Sequence, residues 1–185
     1  MNLENLEKAF SKRAENFISL KNQKEKILNC AELIKITLDN GNKILFCGNG
    51  GSASDSNHLA CEFISKFQKE RKSLSAISLS SNNSIITAIG NDYSFDDIFS
   101  RQIEGLGQKN DILFAISTSG KSKNVLKAIS QAKKQGLKVI FLTGANETKQ
   151  NTDIEINVPS EITCEIQEMH IAIGHIICEI IEKNL

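Results

Sequence analysis

Apolar residues recur at steps of three and four through the start of the chain: Leu3, Leu6, Phe10, Ala14, Phe17 and Leu20, then Ile27, Leu28, Ala31, Ile34 and Leu38. That spacing places them on one face of a helix. It predicts a helix over residues 1–20 and a second over 24–39, stopped by Asn40-Gly41. From residue 43 the pattern changes, and short apolar runs alternate with helical stretches. Strands are expected near 43–47, 74–79, 111–116, 138–142 and 153–158, and helices near 52–66, 84–90, 94–105, 121–135 and 160–183. Such alternation predicts a parallel sheet with helices on both faces. The expected organisation is a single α/β domain over 1–185, with an N-terminal helical pair over 1–40 and an α/β core over 43–185. Ligands of such sheets bind beyond the carboxyl ends of the strands. The last helix is apolar on several sides, with Ile166, Met169, Ile171, Ile173, Ile176, Ile177, Ile180 and Ile181. A helix of that kind is buried by more than one neighbour, and an oligomer interface is the expected cover.

Composition narrows the function classes. At 185 residues the chain suits one domain with one well-buried core. Lys+Arg and Asp+Glu both number 22, aromatics make up 5%, and no basic run occurs, so a nucleic-acid surface is not expected. No apolar run approaches the ~20 residues of a membrane span, and the N-terminus does not read as a signal peptide. Cys30, Cys47, Cys61, Cys164 and Cys178 are scattered and form no Cys-x-x-Cys pair. This argues against a disulfide framework or a thiolate zinc site and fits a reducing cytoplasm.

Two loops carry candidate chemistry. The apolar run Ile44-Leu45-Phe46 leads into Cys47-Gly48-Asn49-Gly50-Gly51-Ser52, and then into a helix bearing His58 and Glu62 four residues apart. A strand, a glycine turn and a helix start present bare backbone N–H groups to an anion or a polyol. The run Ile112-Leu113-Phe114-Ala115-Ile116 leads into Ser117-Thr118-Ser119-Gly120-Lys121-Ser122, followed by another helix. Four hydroxyls at a helix start suit a phosphate, although Ser119 or Ser122 as a simple helix cap is the plainer reading.

The three histidines, His58, His170 and His175, all fall in two helices. His58 and Glu62 read either as an i,i+4 polar pair or as half of a metal site, since imidazole and carboxylate both suit zinc. Gln167 and His175 lie on roughly one side of the last helix. His175 is a candidate acid, and His170 reads as an interface residue. Asn91-Asp92-Tyr93 reads as a turn between two helical segments. The stretch Gly48-Asn49-Gly50-Gly51-Ser52-Ala53 also fits G-x-G-x-x-A. A dinucleotide site would need an acid at the end of the second strand, but that place holds Ser78-Leu79-Ser80-Ser81, which argues against it.

Taken in order, the glycine loop, His58-x-x-x-Glu62, Gly90-Asn91-Asp92, Ser94-x-x-Asp97-Ile98-Phe99-Ser100-Arg101, the serine loop, Ile166-Gln167-Glu168-x-His170 and His175 resemble the phosphoheptose isomerases, a branch of the sugar isomerase (SIS) domain proteins. The resemblance runs over nearly the whole chain. It implies a five-stranded parallel sheet, a cytoplasmic homotetramer with active sites at subunit interfaces, and two helices meeting across chains. It implies conversion of the seven-carbon D-sedoheptulose 7-phosphate to D-glycero-D-manno-heptose 7-phosphate, for bacterial lipopolysaccharide or capsule. The family's base falls on Glu62 and its acid on His175. Substrate contacts fall on Asn49, Gly50, Gly51, Ser52, Glu62, Asn91, Asp92, Ser117, Thr118, Ser119, Ser122 and Gln167. One zinc per subunit would be held by His58, Glu62, Gln167 and His175. Some SIS domains instead serve as sugar-phosphate sensors or replication-initiation modules, which need no base and acid. Cys164 and Glu165 depart from the acidic or hydroxyl residue and arginine that relatives often carry there, which puts contacts from that segment in question.

Overall fold

The computed structural model describes residues 2–185. Helix α1 (Leu3–Leu20) and helix α2 (Lys24–Asp39) open the chain, joined by a single 3-10 turn. Strand β1 (Ile44–Cys47) then leads to α3 (Gly51–Ile64), and β2 (Ala76–Ser78) to α4 (Asn83–Asp92). Helix α5 (Ser100–Leu106) precedes β3 (Ile112–Ser117), α6 (Lys123–Gln135), β4 (Lys138–Thr143) and β5 (Ile154–Asn157). The chain closes on α7 (Thr163–Lys183). All five strands are parallel, in the order β2-β1-β3-β4-β5. The order reverses between β1 and β3, so their carboxyl ends flank the crevice where open α/β sheets take ligands.

Strand alternation builds two cores. Ile44, Phe46, Ile112, Phe114, Ile116, Ile140 and Leu142 face α2, α3 and α7. Leu45, Leu113, Ala115, Val139 and Phe141 face α5 and α6. Both strand faces are apolar because both are covered by helices. Phe114 is central to the first core, its ring centroid 5.2 Å from that of Phe46, which in turn lies 5.8 Å from Phe63.

Several expectations need correcting. The helix expected over 94–105 is broken: a 3-10 turn at Phe95–Asp97, capped by Ser94 Oγ, precedes α5. Asn91 and Asp92 are not in a turn; they form the last residues of α4. One apolar side of α7 is covered within the chain by the sheet, α2 and α3, where Ile166, Met169, Ile173, Ile177 and Ile181 are buried, while Ile176 on the same helix stays 40% exposed. An apolar stripe is left uncovered on α1, where Leu3 is 77% and Phe10 66% exposed. His170 is not at a surface: it is fully buried, and its Nε2 lies 3.1 Å from the Thr143 carbonyl oxygen.

Candidate active site

The glycine loop turns directly out of β1. Gly50 sits at φ 56°, ψ −121°, a conformation open only to glycine, and its carbonyl accepts the N–H groups of Ala53 and Ser54 to start α3. Gly48 must also lack a side chain, because a Cβ there would lie 2.6 Å from the Ser52 carbonyl oxygen. Ser52 is itself buried, while Asn49 stays half-buried beside the crevice. The second loop turns out of β3, with Gly120 at φ 65°. Ser117 Oγ and Ser122 Oγ are 3.1 Å apart, and Ser119 is exposed. Ser122 occupies the residue before α6 but makes no capping bond, so its hydroxyl is not there simply to cap a helix.

A residue that the sequence reading missed ties the two loops together. Asn124, in the first turn of α6 and 2% exposed, exchanges two hydrogen bonds of 2.8 Å with Asn49. A buried amide next to a serine loop carries no pattern that marks it in a sequence. Its role follows from its partner, 75 residues away.

Helices α3 and α7 lie side by side and run in the same direction. Near their starts, Gln167 covers Gly51 so closely that a Cβ on Gly51 would lie 2.7 Å from Gln167 Cδ. Farther along, His58 Nε2 lies 2.8 Å from His175 Nε2 and 3.4 Å from Glu62 Oε1. The His58 side chain is 46% exposed and that of Glu62 17%. The two helices were expected to meet across chains; they meet within one chain. Past the end of α3, the backbone N–H groups of Phe67, Gln68 and Lys69 all donate to the Glu182 carboxylate on α7, as does Arg71 Nε at 2.9 Å.

Asp55, one turn before His58, is a second residue that sequence reasoning missed. Its Oδ2 is buried without a partner among the described residues. Burial pushes its carboxyl up to about 6, against the pull of His58 in the other direction. No motif points to it; only the burial does.

Asn91 and Asp92 are not brought to this group. Asn91 bonds to Asp92 at 2.8 Å, and Asp92 lines a shallow depression with Ile85, Tyr93 and Arg101. Glu165, whose departure from the family pattern raised the question of altered substrate contacts, points into α1: Asn16 Nδ2 donates to it at 2.7 Å. Cys164 is exposed, beside Arg13.

The donor set of His58, Glu62, Gln167 and His175 is chemically suited to zinc. The fit is close but not complete. Among the described residues no group of three or more His, Cys, Asp or Glu has metal-holding spacing. The two Nε2 atoms stand at hydrogen-bond distance, so one ring donates to the other. Two nitrogens bound tetrahedrally at about 2.0–2.1 Å from zinc would stand roughly 3.3 Å apart, so the rings need a small separation to admit the ion.

Comparison with known proteins identifies the family. The SIS domain family matches residues 9–144. The phosphoheptose isomerase of Nitratiruptor sp. is 48% identical over 185 residues, covering 98% of this chain and 99% of the relative. The phosphoheptose isomerase structure from Francisella tularensis superposes with a TM-score of 0.93 at 38% identity, covering 99% of this chain and all of the other. That from Neisseria gonorrhoeae gives 0.91 at 38% identity, covering 98% of both. The chain therefore belongs to the SIS domain family and, within it, to the phosphoheptose isomerases.

Proposed function

We propose that this chain interconverts D-sedoheptulose 7-phosphate and D-glycero-D-manno-heptose 7-phosphate, with Glu62 as base and His175 as acid. The observation that carries the reading is the meeting of His58, Glu62 and His175 between α3 and α7, two helices whose starts lie at the ligand edge of the sheet. A sensor or interaction module has no need of that convergence.

The hydroxyls of Ser117, Thr118, Ser119 and Ser122 and the start of α6 take the phosphate, because both offer donors to an anion. Asn49, Gly50, Gly51, Ser52 and Gln167 line the path of the open-chain sugar. Glu62 turns Oε1 toward His58. Its second oxygen takes a proton from C1, the carbon beside the carbonyl, and an enediol forms. The same carboxyl returns that proton to C2. His175 gives a proton to the oxygen on C2 as it becomes a hydroxyl and receives one from the oxygen on C1 as the new carbonyl forms. No atom is gained or lost overall. Zinc held by His58, Glu62, Gln167 and His175 would stabilise the negative charge that develops on those oxygens.

The same reading places the chain in a cytoplasmic homotetramer. The uncovered stripe on α1 supports the assembly, since exposed apolar patches of that kind mark contact surfaces. Asn91 and Asp92 would then reach a substrate site by way of a neighbouring copy. Among the described residues no helix is long and apolar enough to cross a membrane. The test is direct: purified protein is incubated with D-sedoheptulose 7-phosphate and the products are resolved by anion-exchange chromatography. Formation of the heptose 7-phosphate supports the reading. Turnover of other ketose phosphates in its place would overturn the assigned substrate.

A further inference from the structure

A cavity of about 270 Å³ opens beside the serine loop. Thr118, Ser119 and Lys121 form one wall, and Ser160 and Glu161 form the other. The second wall is a short connection between β5 and α7, and residues of a connection hold position only where something fixes them. The Ser160 carbonyl accepts the Ala145 N–H at 3.1 Å, which ties it to the segment after β4. Its hydroxyl accepts the Ile162 N–H at 3.1 Å and donates to Glu165 Oε2 at 2.8 Å. That same carboxylate oxygen receives Asn16 Nδ2 of α1 at 2.7 Å.

Glu165 and Asn16 are 5% and 4% exposed. A carboxylate out of water is costly unless donors satisfy it, so these two hydrogen bonds fix its place firmly. They hold the carboxyl below the usual range, Ser160 contributing most and Asn16 next. Asn16 and Leu20 are the buried positions of α1. The docked half of α1 is thus linked to the pocket wall through one carboxylate.

We propose that Glu165 is a positioning residue for the sugar-phosphate pocket, fixing the Ser160–Glu161 wall to α1 through Asn16. This rests on reading the pocket beside Ser119 as the phosphate end of the substrate. Glu165 touches no reacting atom. Its effect is carried by the wall, so it changes how well substrate is held and leaves the chemistry at Glu62 and His175 alone.

The experiment is steady-state kinetics on sedoheptulose 7-phosphate with Glu165→Ala, Glu165→Gln, Ser160→Ala, Asn16→Ala and the double variant Asn16→Ala/Glu165→Ala, with Ser119→Ala alongside. Loss of one buried hydrogen bond changes an equilibrium by about fivefold. Glu165→Ala and Ser160→Ala should each raise KM by about that much or more, with kcat within about twofold of wild type. Glu165→Gln should restore KM, because its carbonyl can still accept the Ser160 hydroxyl. Asn16→Ala should raise KM although residue 16 lies outside the pocket, and the double variant should be no worse than Glu165→Ala alone. If Ser119→Ala raises KM while folded Glu165→Ala and Ser160→Ala do not, the positioning role is overturned and the pocket reading stands. If none of the three raises KM, both fall. Additive effects of Asn16→Ala and Glu165→Ala would also overturn the link. Should Glu165→Ala fail to fold, Ser160→Ala and Asn16→Ala decide the matter by the same readout.

Discussion

Gly174 on α7 faces Leu59 on α3 with no space for a side chain between them: a Cβ on Gly174 would lie 2.8 Å from Leu59 Cδ1. The contact is one of the close approaches between the two helices. The residues beside it, His58 and His175, stand Nε2 to Nε2 at 2.8 Å. A methyl group at position 174 would therefore press on the Leu59 side chain next to the candidate catalytic groups.

Gly174→Ala should therefore act on stability and chemistry together. Forcing a methyl group into a packed core costs about 1–3 kcal/mol. Separating the two helices should also lower kcat by roughly tenfold to a hundredfold, because small misplacements at a reacting centre are expensive. Denaturant titration and initial rates on the same preparation check both. A stable variant with unchanged kcat would show that the spacing does not matter.

Asn124→Ala should raise KM with a smaller effect on kcat. The change strands the Asn49 amide, which loses both of its 2.8 Å bonds. Asn49 is half-buried and water can replace part of the loss, so a KM increase of roughly fivefold, the net worth of about one hydrogen bond, is expected, read from saturation curves.

The layered α/β architecture was legible in the sequence because both helical and strand periodicities are strong. Runs such as Ile112-Leu113-Phe114-Ala115-Ile116 are apolar at every position, which is the mark of a strand covered on both faces. The places of the two loops were equally legible, since glycine and hydroxyl clusters mark the turns from β1 into α3 and from β3 into α6. What failed was anything that depends on which element lies opposite. Asn91-Asp92 looks like a turn by composition, yet helix α4 simply continues through it. Which side of α7 packs within the chain was also hidden, because a sequence does not show that α2, α3 and the sheet cover Ile166, Met169, Ile173, Ile177 and Ile181 and leave Ile176 exposed. Asn124 and Asp55 gave no warning because each acquires its role from a partner or from burial, and Glu165 showed only as a departure from the family pattern, with Asn16 and Ser160 as partners that no pattern marks.

Acid should weaken the fold through Glu182. Burial alone would push this carboxyl up, but the N–H groups of Gln68, Phe67 and Lys69, with Arg71, outweigh burial and bring it down to about 2. The folded value lies below the unfolded value near 4.3, so the stabilisation is complete above that pH and drains away as pH falls toward about 2. Urea midpoints measured across that window should decline in wild type. Glu182→Gln should start lower and decline less steeply, and identical slopes would remove Glu182 as the source.

The proposed zinc donor set has a measurable consequence. Protein purified without chelator should carry about one zinc per chain by elemental analysis, and His58→Gln should carry much less. Loss of metal from the variant is expected without loss of helical signal in circular dichroism. Equal zinc in both proteins would place any ion elsewhere.

The most direct test of the account is the rate of heptose 7-phosphate formation by wild type and by Glu62→Gln at saturating sedoheptulose 7-phosphate. The account predicts turnover by wild type and a loss of about a hundredfold or more in the variant, the usual contribution of a positioned acid–base group, with its melting temperature nearly unchanged. A folded Glu62→Gln protein that works at close to the wild-type rate would contradict it.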